Sequence, residues 1–458
     1  LIETPFYLRL ISCFGLFAFV AIAWLMSSNR RLISWRIVIG GLLLQFAFAL
    51  IVFVSQRWTF PDAAGIPRFE NGILFYGIES VFNQIQFCVT QGAGFLFNMY
   101  PQPGDDTAVF PASYVLLRTF AFGILPTVIF FSSLMSVLYY LGMMQWFVRA
   151  MAWLMQRTLG TSGAESLAAA ANVFVGHTEA PLVIRPFVGA MSRSELNALM
   201  VGGFATITGG LMAVYAGMGV SPGHLLTASV ISAPAALLIA KLLEPETENP
   251  KTLGDVRIKV ERQGVNVIEA AAIGASDGMK LALNIGAMLL AFLALIALLN
   301  SITTGLGDAV EGMIRYFYTD FPYDLNWSMS NILATLFYPF AWLMGIESGD
   351  CSAAGKLLGI KMMVNEFVAY QELSYYISNV DSQGNALPEA EQISERTRLI
   401  LTYALCGFSN FGAIGIQIGG IGAMAPERRS DLARLGLRAM IGGAIACCMT
   451  ACIAGIIL

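Results

Sequence analysis

The chain has 458 residues, of which 57% are hydrophobic and only 12% charged, with a mean hydropathy of +0.68. One soluble core could not enclose so much apolar surface, so lipid is the solvent for much of it. The net charge is −4, and Lys and Arg fall in short loops rather than along a basic stripe, which excludes nucleic acid as a partner.

A membrane span needs about 20 apolar residues to cross about 30 Å of hydrocarbon. In chain order the runs of that kind are 8–26, 37–53, 114–141, 196–220, 225–243, 280–299, 399–424 and 437–458, which predicts eight full spans. No basic leader with a small-residue cleavage site precedes the first, so it reads as a retained span. Between the second and third, polarity is mixed, and 73–100 predicts an amphipathic helix at the interface. The seven cysteines lie in or beside apolar segments without metal-ligand spacing and read as small apolar residues.

Basic clusters at Asn29-Arg30-Arg31 with Arg36, at Arg149 and Arg157, at 251–262 and at Glu427-Arg428-Arg429 mark the cytoplasmic side. Acidic or neutral connections at Asp105-Asp106, 308–320 and 381–395 mark the other side. With every span crossing, two semi-apolar stretches, 164–187 and 330–370, must each enter and leave by the same face. They predict re-entrant helical hairpins, one opening to each side, each preceded by one span and followed by two. The fold class is therefore an all-α integral membrane protein of eight transmembrane helices and two oppositely oriented hairpins in an inverted repeat, an arrangement that marks secondary transporters with a midplane site.

The domain organisation that follows is an N-terminal scaffold over 1–112, a first repeat half over 113–243, a cytoplasmic linker and interfacial helix over 244–279, and a second half over 280–458. Pro245 and Pro250 in a charged stretch divide the halves.

The hairpins hold Glu179, Glu347, Asp350, Lys356, Lys361 and Glu366. Ionisable groups inside a membrane are costly and point to function. Two readings stay open for Glu179 and Glu366: a polar substrate site, or inter-hairpin ion pairs with Lys361. The only histidines are His177 and His224, which do not furnish a nucleophile with its base or a metal triad, so the chain is not an enzyme. An ion channel remains the alternative of a different class.

Gly359-x-Lys361-x-x-x-Asn365-Glu366-Phe367-Val368-Ala369-Tyr370 matches the signature of the concentrative nucleoside transporter family at every position. The chain also resembles that family over 122–131, 286–296 and 404–411. The resemblance implies a bacterial cation–nucleoside symporter, multi-pass in the cell inner membrane and homotrimeric, whose hairpin-bearing unit slides as an elevator against a fixed scaffold. It implies Na+ as coupling ion, with H+ as the alternative, and no prosthetic group.

Residue by residue, the resemblance puts Gly176, His177, Thr178, Glu179 and Leu211 around the nucleobase. It puts Glu366, Phe408, Asn410 and Ala413 around the ribose, where a carboxylate accepts from sugar hydroxyls in charge-assisted hydrogen bonds. It puts Na+ on Asn172, Val175, Thr206 and Ile207, a hard cation needing several oxygen ligands. The run Thr206-Ile207-Thr208-Gly209-Gly210 fits an unwound segment, since adjacent glycines and β-branched residues weaken a helix. Two contact positions leave the family pattern: His177 stands where Gln is common and Ala413 where Ser is common.

Overall fold

The structure is a computed structural model that describes residues 4–55, 73–97, 121–122, 125–177, 179–252, 264–317, 327–381 and 385–458. Helices α1 (Phe6–Leu25) and α2 (Trp35–Ser55) each carry a single charged residue, Arg9 and Arg36, and are otherwise apolar around most of their circumference, as lipid-facing spans must be. Helix α3 (Ile73–Phe97) follows.

Helix α4 (Leu125–Tyr140) stops where Gly142 adopts φ +83°, and the chain turns by 76° into α5 (Met143–Leu159). Only glycine enters that left-handed region without steric cost. Met144, Val148, Met151, Met155 and Leu159 bury one stripe of α5 while Trp146 and Trp153 stay exposed, the pattern of an arm lying along a membrane surface. The segment around Arg149 and Arg157, expected as a loop, is therefore helical because its apolar residues recur at helical spacing.

The chain then folds back on itself. Helix α6 (Gly163–Ala171) runs to a turn and returns through two single helical turns, Ala180–Val183 and Arg185–Val188, each started by a proline. Helices α7 (Arg193–Ala205) and α8 (Gly209–Gly217) are the halves of one span interrupted at Thr206-Ile207-Thr208, and α9 (Pro222–Leu243) follows.

The same order of elements recurs. Helix α10 (Val267–Phe317) has 51 residues and extends well beyond the run 280–299; pairs such as Asp277–Lys280 and Glu311–Arg315 support its polar ends at helical spacing. An arm, α11 (Met329–Leu343), leads into α12 (Cys351–Met363) and α13 (Glu366–Ser378). Lys356 and Glu372, 16 residues apart, form an ion pair at 3.0 Å. A continuous helix would hold them about 24 Å apart, so α12 and α13 lie side by side with their tip at Val364-Asn365. The carboxylate-bearing fold-back thus runs over α12 and α13, and α11 is a separate arm packed on its front.

Helices α14 (Glu395–Leu405) and α15 (Phe411–Met424) then form a second interrupted span, broken over Cys406–Asn410, before α16 (Arg429–Ile457). The run 399–424 is continuous in hydropathy, which is why its break is invisible at that level. Among the described residues, six helices are long and apolar enough to cross a membrane, or up to seven if the bent pair α4–α5 is one span.

Small residues let α16 approach its neighbours. A Cβ on Gly443 would stand 2.4 Å from the Phe204 Cβ, and one on Gly442 2.6 Å from Leu243 Cδ1. Close backbone approach at small residues is how helices associate where lipid removes the hydrophobic drive. All seven cysteines are free and five are buried, as Cys447 and Cys452 in α16 illustrate.

At the base of the first fold-back two capping boxes interlock. Ser162 with Glu165 caps α6 and Ser192 with Glu195 caps α7. The Ser162 hydroxyl donates to Glu195 at 2.5 Å and Thr252 donates to the same carboxylate oxygen. Lys241 of α9 closes the network, with Nζ 2.8 Å from Glu165 Oε2 and 3.2 Å from Glu246 Oε2. Removing one partner of a buried ion pair leaves the other charge uncompensated. Lys241→Met is expected to cost about 3–5 kcal/mol of stability, read as a lowered melting temperature of the detergent-purified protein.

Candidate functional site

A helix that stops at membrane depth leaves orphan carbonyls on one side of its break and orphan N–H groups on the other. Both interrupted spans meet that requirement with side chains. Thr208 Oγ1 accepts from the Leu211 N–H at 3.1 Å, and Asn410 Oδ1 accepts from the Ala413 N–H at 2.8 Å. At the tip of the second fold-back, Asn365 Oδ1 accepts from the Val368 N–H at 2.9 Å. These are N-caps, and they start α8, α15 and α13.

The breaks cross at Gly407. A Cβ there would meet Cys447 Sγ at 2.6 Å and the Phe204 carbonyl oxygen at 2.7 Å. The Cys447 thiol lies 3.7 Å from the Ala205 oxygen and 3.4 Å from the Cys406 oxygen, so one donor serves the loosened ends of both spans. Lys361 Nζ donates to the Ala404 oxygen at 2.8 Å and the Tyr370 hydroxyl to the Thr402 oxygen at 2.7 Å. Lys361 thus serves the end of α14.

Glu366, 3% exposed, opens α13 immediately after the Asn365 cap. Its Oε1 accepts from the Tyr215 hydroxyl at 3.2 Å and its Oε2 from Asn410 Nδ2 at 3.3 Å. Tyr215 is held by a ring stack on Tyr370 at 4.2 Å between centroids. Three elements, α8, α13 and the second break, thereby converge on one carboxylate. Both donors are long for charge-assisted bonds, which leaves the carboxylate able to exchange them for a hydroxyl-bearing ligand.

Beside this cluster the Phe408 and His177 rings meet edge to face at 4.5 Å, and neither buried nitrogen of His177 has a hydrogen-bond partner. Gly176 lies against Thr208, whose methyl would be 2.5 Å from a Cβ on that glycine, and Leu211 is buried in the first turn of α8. Ala413 is buried one turn from Asn410. Glu179 begins the returning turn of the first fold-back with its N–H on the Gly176 oxygen at 3.0 Å and its side chain exposed. Thr178 lies outside the described residues.

The four residues expected around a cation also converge. Asn172 ends α6, is 1% exposed, and has no partner for either atom of its amide. A Cβ on Gly202 would lie 3.0 Å from its Nδ2, and the Thr206 hydroxyl donates to the Gly202 oxygen at 2.9 Å. The Gly209 N–H donates to the Phe174 oxygen at 2.8 Å, which ties the turn carrying Val175 to the break carrying Ile207. A buried, unpartnered amide oxygen among loosened backbone suits a hard cation. Among the described residues there is no His/Cys/Asp/Glu cluster for a transition metal.

Two residues packed against the expected ones escaped sequence reasoning. Tyr215 reads as one aromatic among many in an apolar run, and Gln417 as a lone amide in a glycine-rich one. Only their approach to Glu366 and His177 distinguishes them.

The family models for the Na+ dependent nucleoside transporter C-terminus, the nucleoside recognition "Gate" domain and the Na+ dependent nucleoside transporter N-terminus match residues 224–455, 121–222 and 14–59. Solute carrier family 28 member 3 of Eptatretus stoutii is 42% identical over 98% of this chain, and the match spans 60% of that longer protein. An uncharacterized transporter of Haemophilus influenzae is 43% identical over 97% of both chains, and sodium/nucleoside cotransporter 1 of Mus musculus is 40% identical over 98% of this chain and 64% of its own length. Among solved structures, CNTnw in an inward-facing substrate-bound state superposes with a TM-score of 0.82 at 39% identity, covering 98% of each chain. A double variant of CNTnw in an outward-facing state gives 0.81 at 38% identity, covering 98% of this chain and 97% of that one. Motif, helical architecture and full-length similarity agree: the chain belongs to the concentrative, Na+-dependent nucleoside transporter family.

Proposed function

We propose that this protein imports nucleosides across a cell membrane, the inner membrane of a bacterium, by symport with Na+. The observation that carries the reading is the Glu366 carboxylate, buried at a hairpin tip, whose side-chain donors Tyr215 and Asn410 both bind it at long distance. A ribose offers hydroxyl donors that a carboxylate and an amide can grip together. Phe408 and Ala413 complete the sugar side. Gly176, His177, Thr178, Glu179 and Leu211 face the base, where an apolar wall with a few polar groups sets orientation.

Asn172, Val175, Thr206 and Ile207 hold Na+ in this reading. The unpartnered Asn172 amide favours a cation over a proton there, since an amide does not titrate. Coupling follows from position: the cation site lies between the turn of the first fold-back and the break of the first interrupted span, so filling it orders the base-facing wall. The fold-backs and interrupted spans move together as the transport unit, against a scaffold that includes α1, α2 and α10. The exposed Leu290, Leu298, Ile302 and Leu306 of α10 face lipid or a second copy in a homotrimer.

Uptake of labelled nucleoside into proteoliposomes under imposed Na+, K+ and pH gradients tests the whole reading; uptake driven by a pH gradient alone would overturn Na+ coupling. Glu366→Gln keeps shape and removes charge, and a loss of affinity of about 100-fold or more is expected from two charge-assisted contacts, measured by competition binding. Thr206→Ala is expected to raise the Na+ concentration for half-maximal uptake several-fold, and a sodium curve that overlays the wild type would remove Thr206 from the cation site. His177→Gln exchanges one donor and one acceptor for an amide, so the ratio of purine to pyrimidine uptake is expected to shift.

A further inference from the structure

Helix α15 buries one inward stripe, Ala413, Gln417 and Ile421, while Phe411 and Ile416 face outward. Gln417 is the amide in that stripe and is 1% exposed. Its Nε2 donates to the Met200 oxygen at 3.3 Å, but its Oε1 has no partner. A buried amide oxygen left unpaired is costly and calls for a donor.

The neighbour across from it is His177. A Cβ on Gly203 would stand 2.7 Å from Gln417 Nε2 and also 2.7 Å from the His177 Cβ. The missing side chain of Gly203 is thus what lets the amide and the imidazole share one space. Both residues that meet at Gly203 carry buried polar atoms without partners: the two His177 nitrogens and Gln417 Oε1. Along α15, Gln417 lies seven residues beyond Asn410, about 10 Å at the helical rise and on the same face. That is the long dimension of a nucleoside, with Asn410 at the sugar end.

We infer that Gln417 reads the nucleobase, its free Oε1 accepting from an N–H that the base presents on the edge away from the sugar. This rests on the nucleoside reading above and deepens it: the substrates favoured are those with a ring N–H there, such as uridine and inosine. His177, neutral, supplies one donor and one acceptor to the adjoining edge. The bond to Met200 occupies the amide nitrogen and leaves its oxygen as the free group.

The test is competition against labelled nucleoside uptake in proteoliposomes, with uridine and N3-methyluridine, and inosine and N1-methylinosine, as paired competitors. Each pair differs by a methyl on the donor in question. In the wild type, methylation is expected to weaken competition; in Gln417→Leu that penalty is expected to shrink about tenfold, the worth of one hydrogen bond. Gln417→Met, which keeps length and packing, is expected to do the same, while the preference for uridine over 3′-deoxyuridine stays as in the wild type because it reports on Glu366 and Asn410. A methylation penalty unchanged in both variants overturns the role, including where affinity for all nucleosides falls together, since uniform loss is what breaking the Met200 bond alone would cause. A wild-type protein that no nucleoside competes for would overturn the transport reading itself.

Discussion

The structure depends on one constraint: backbone that leaves the helix at membrane depth must find hydrogen-bond partners within the protein. Two spans are broken, over Thr206-Ile207-Thr208 and over Cys406–Asn410, and their breaks cross at Gly407. Thr208 and Asn410 cap the helices that restart, and Lys361, Tyr370 and Cys447 donate to carbonyls where the preceding halves end. The arrangement resembles a pair of helix termini aimed at a shared centre, which is where polar groups can be displayed in an apolar medium.

The proposed function draws on the same groups. Asn410 is both a cap, through Oδ1, and a donor to Glu366, through Nδ2. Thr206 ends α7 and stands next to Asn172 across Gly202. The capping atoms and the atoms that meet Glu366 and Asn172 thus belong to the same side chains or stand beside them, which ties these clusters to the helix ends. Rigid elements supply the other half of the geometry. The interlocked capping boxes of α6 and α7, closed by Lys241, hold the base of the first fold-back, and the Lys356–Glu372 pair holds the arms of the second together.

Much of this was legible in the residues. Hydropathy located α1, α2, α9 and α16, because a lipid-facing helix must be apolar over about 20 residues. Sidedness of the basic clusters forced two fold-backs, and the unwound segment at Thr206–Thr208 followed from glycines and β-branched residues. Asn365-Glu366 was legible as the family's motif. The second break was not: Cys406–Asn410 holds a single glycine within a run of continuous apolar character, and its place in the fold is marked by the crossing with Phe204, a contact between residues some 200 positions apart. The arm α5 was expected as a loop, since a helix lying along the membrane surface carries fewer apolar residues than a span, and α11 was absorbed into the second hairpin because it is apolar though only 15 residues long.

The sequence by itself determined the solvent, the number and rough position of the apolar runs, and the family, because each rests on local composition or on a contiguous motif. The tertiary structure alone decided which polar groups meet. Tyr215 reaches Glu366 across 151 residues and Gln417 reaches Met200 across 217. No local pattern encodes such a meeting, since it depends on where two broken helices happen to cross and which glycine leaves the room for it.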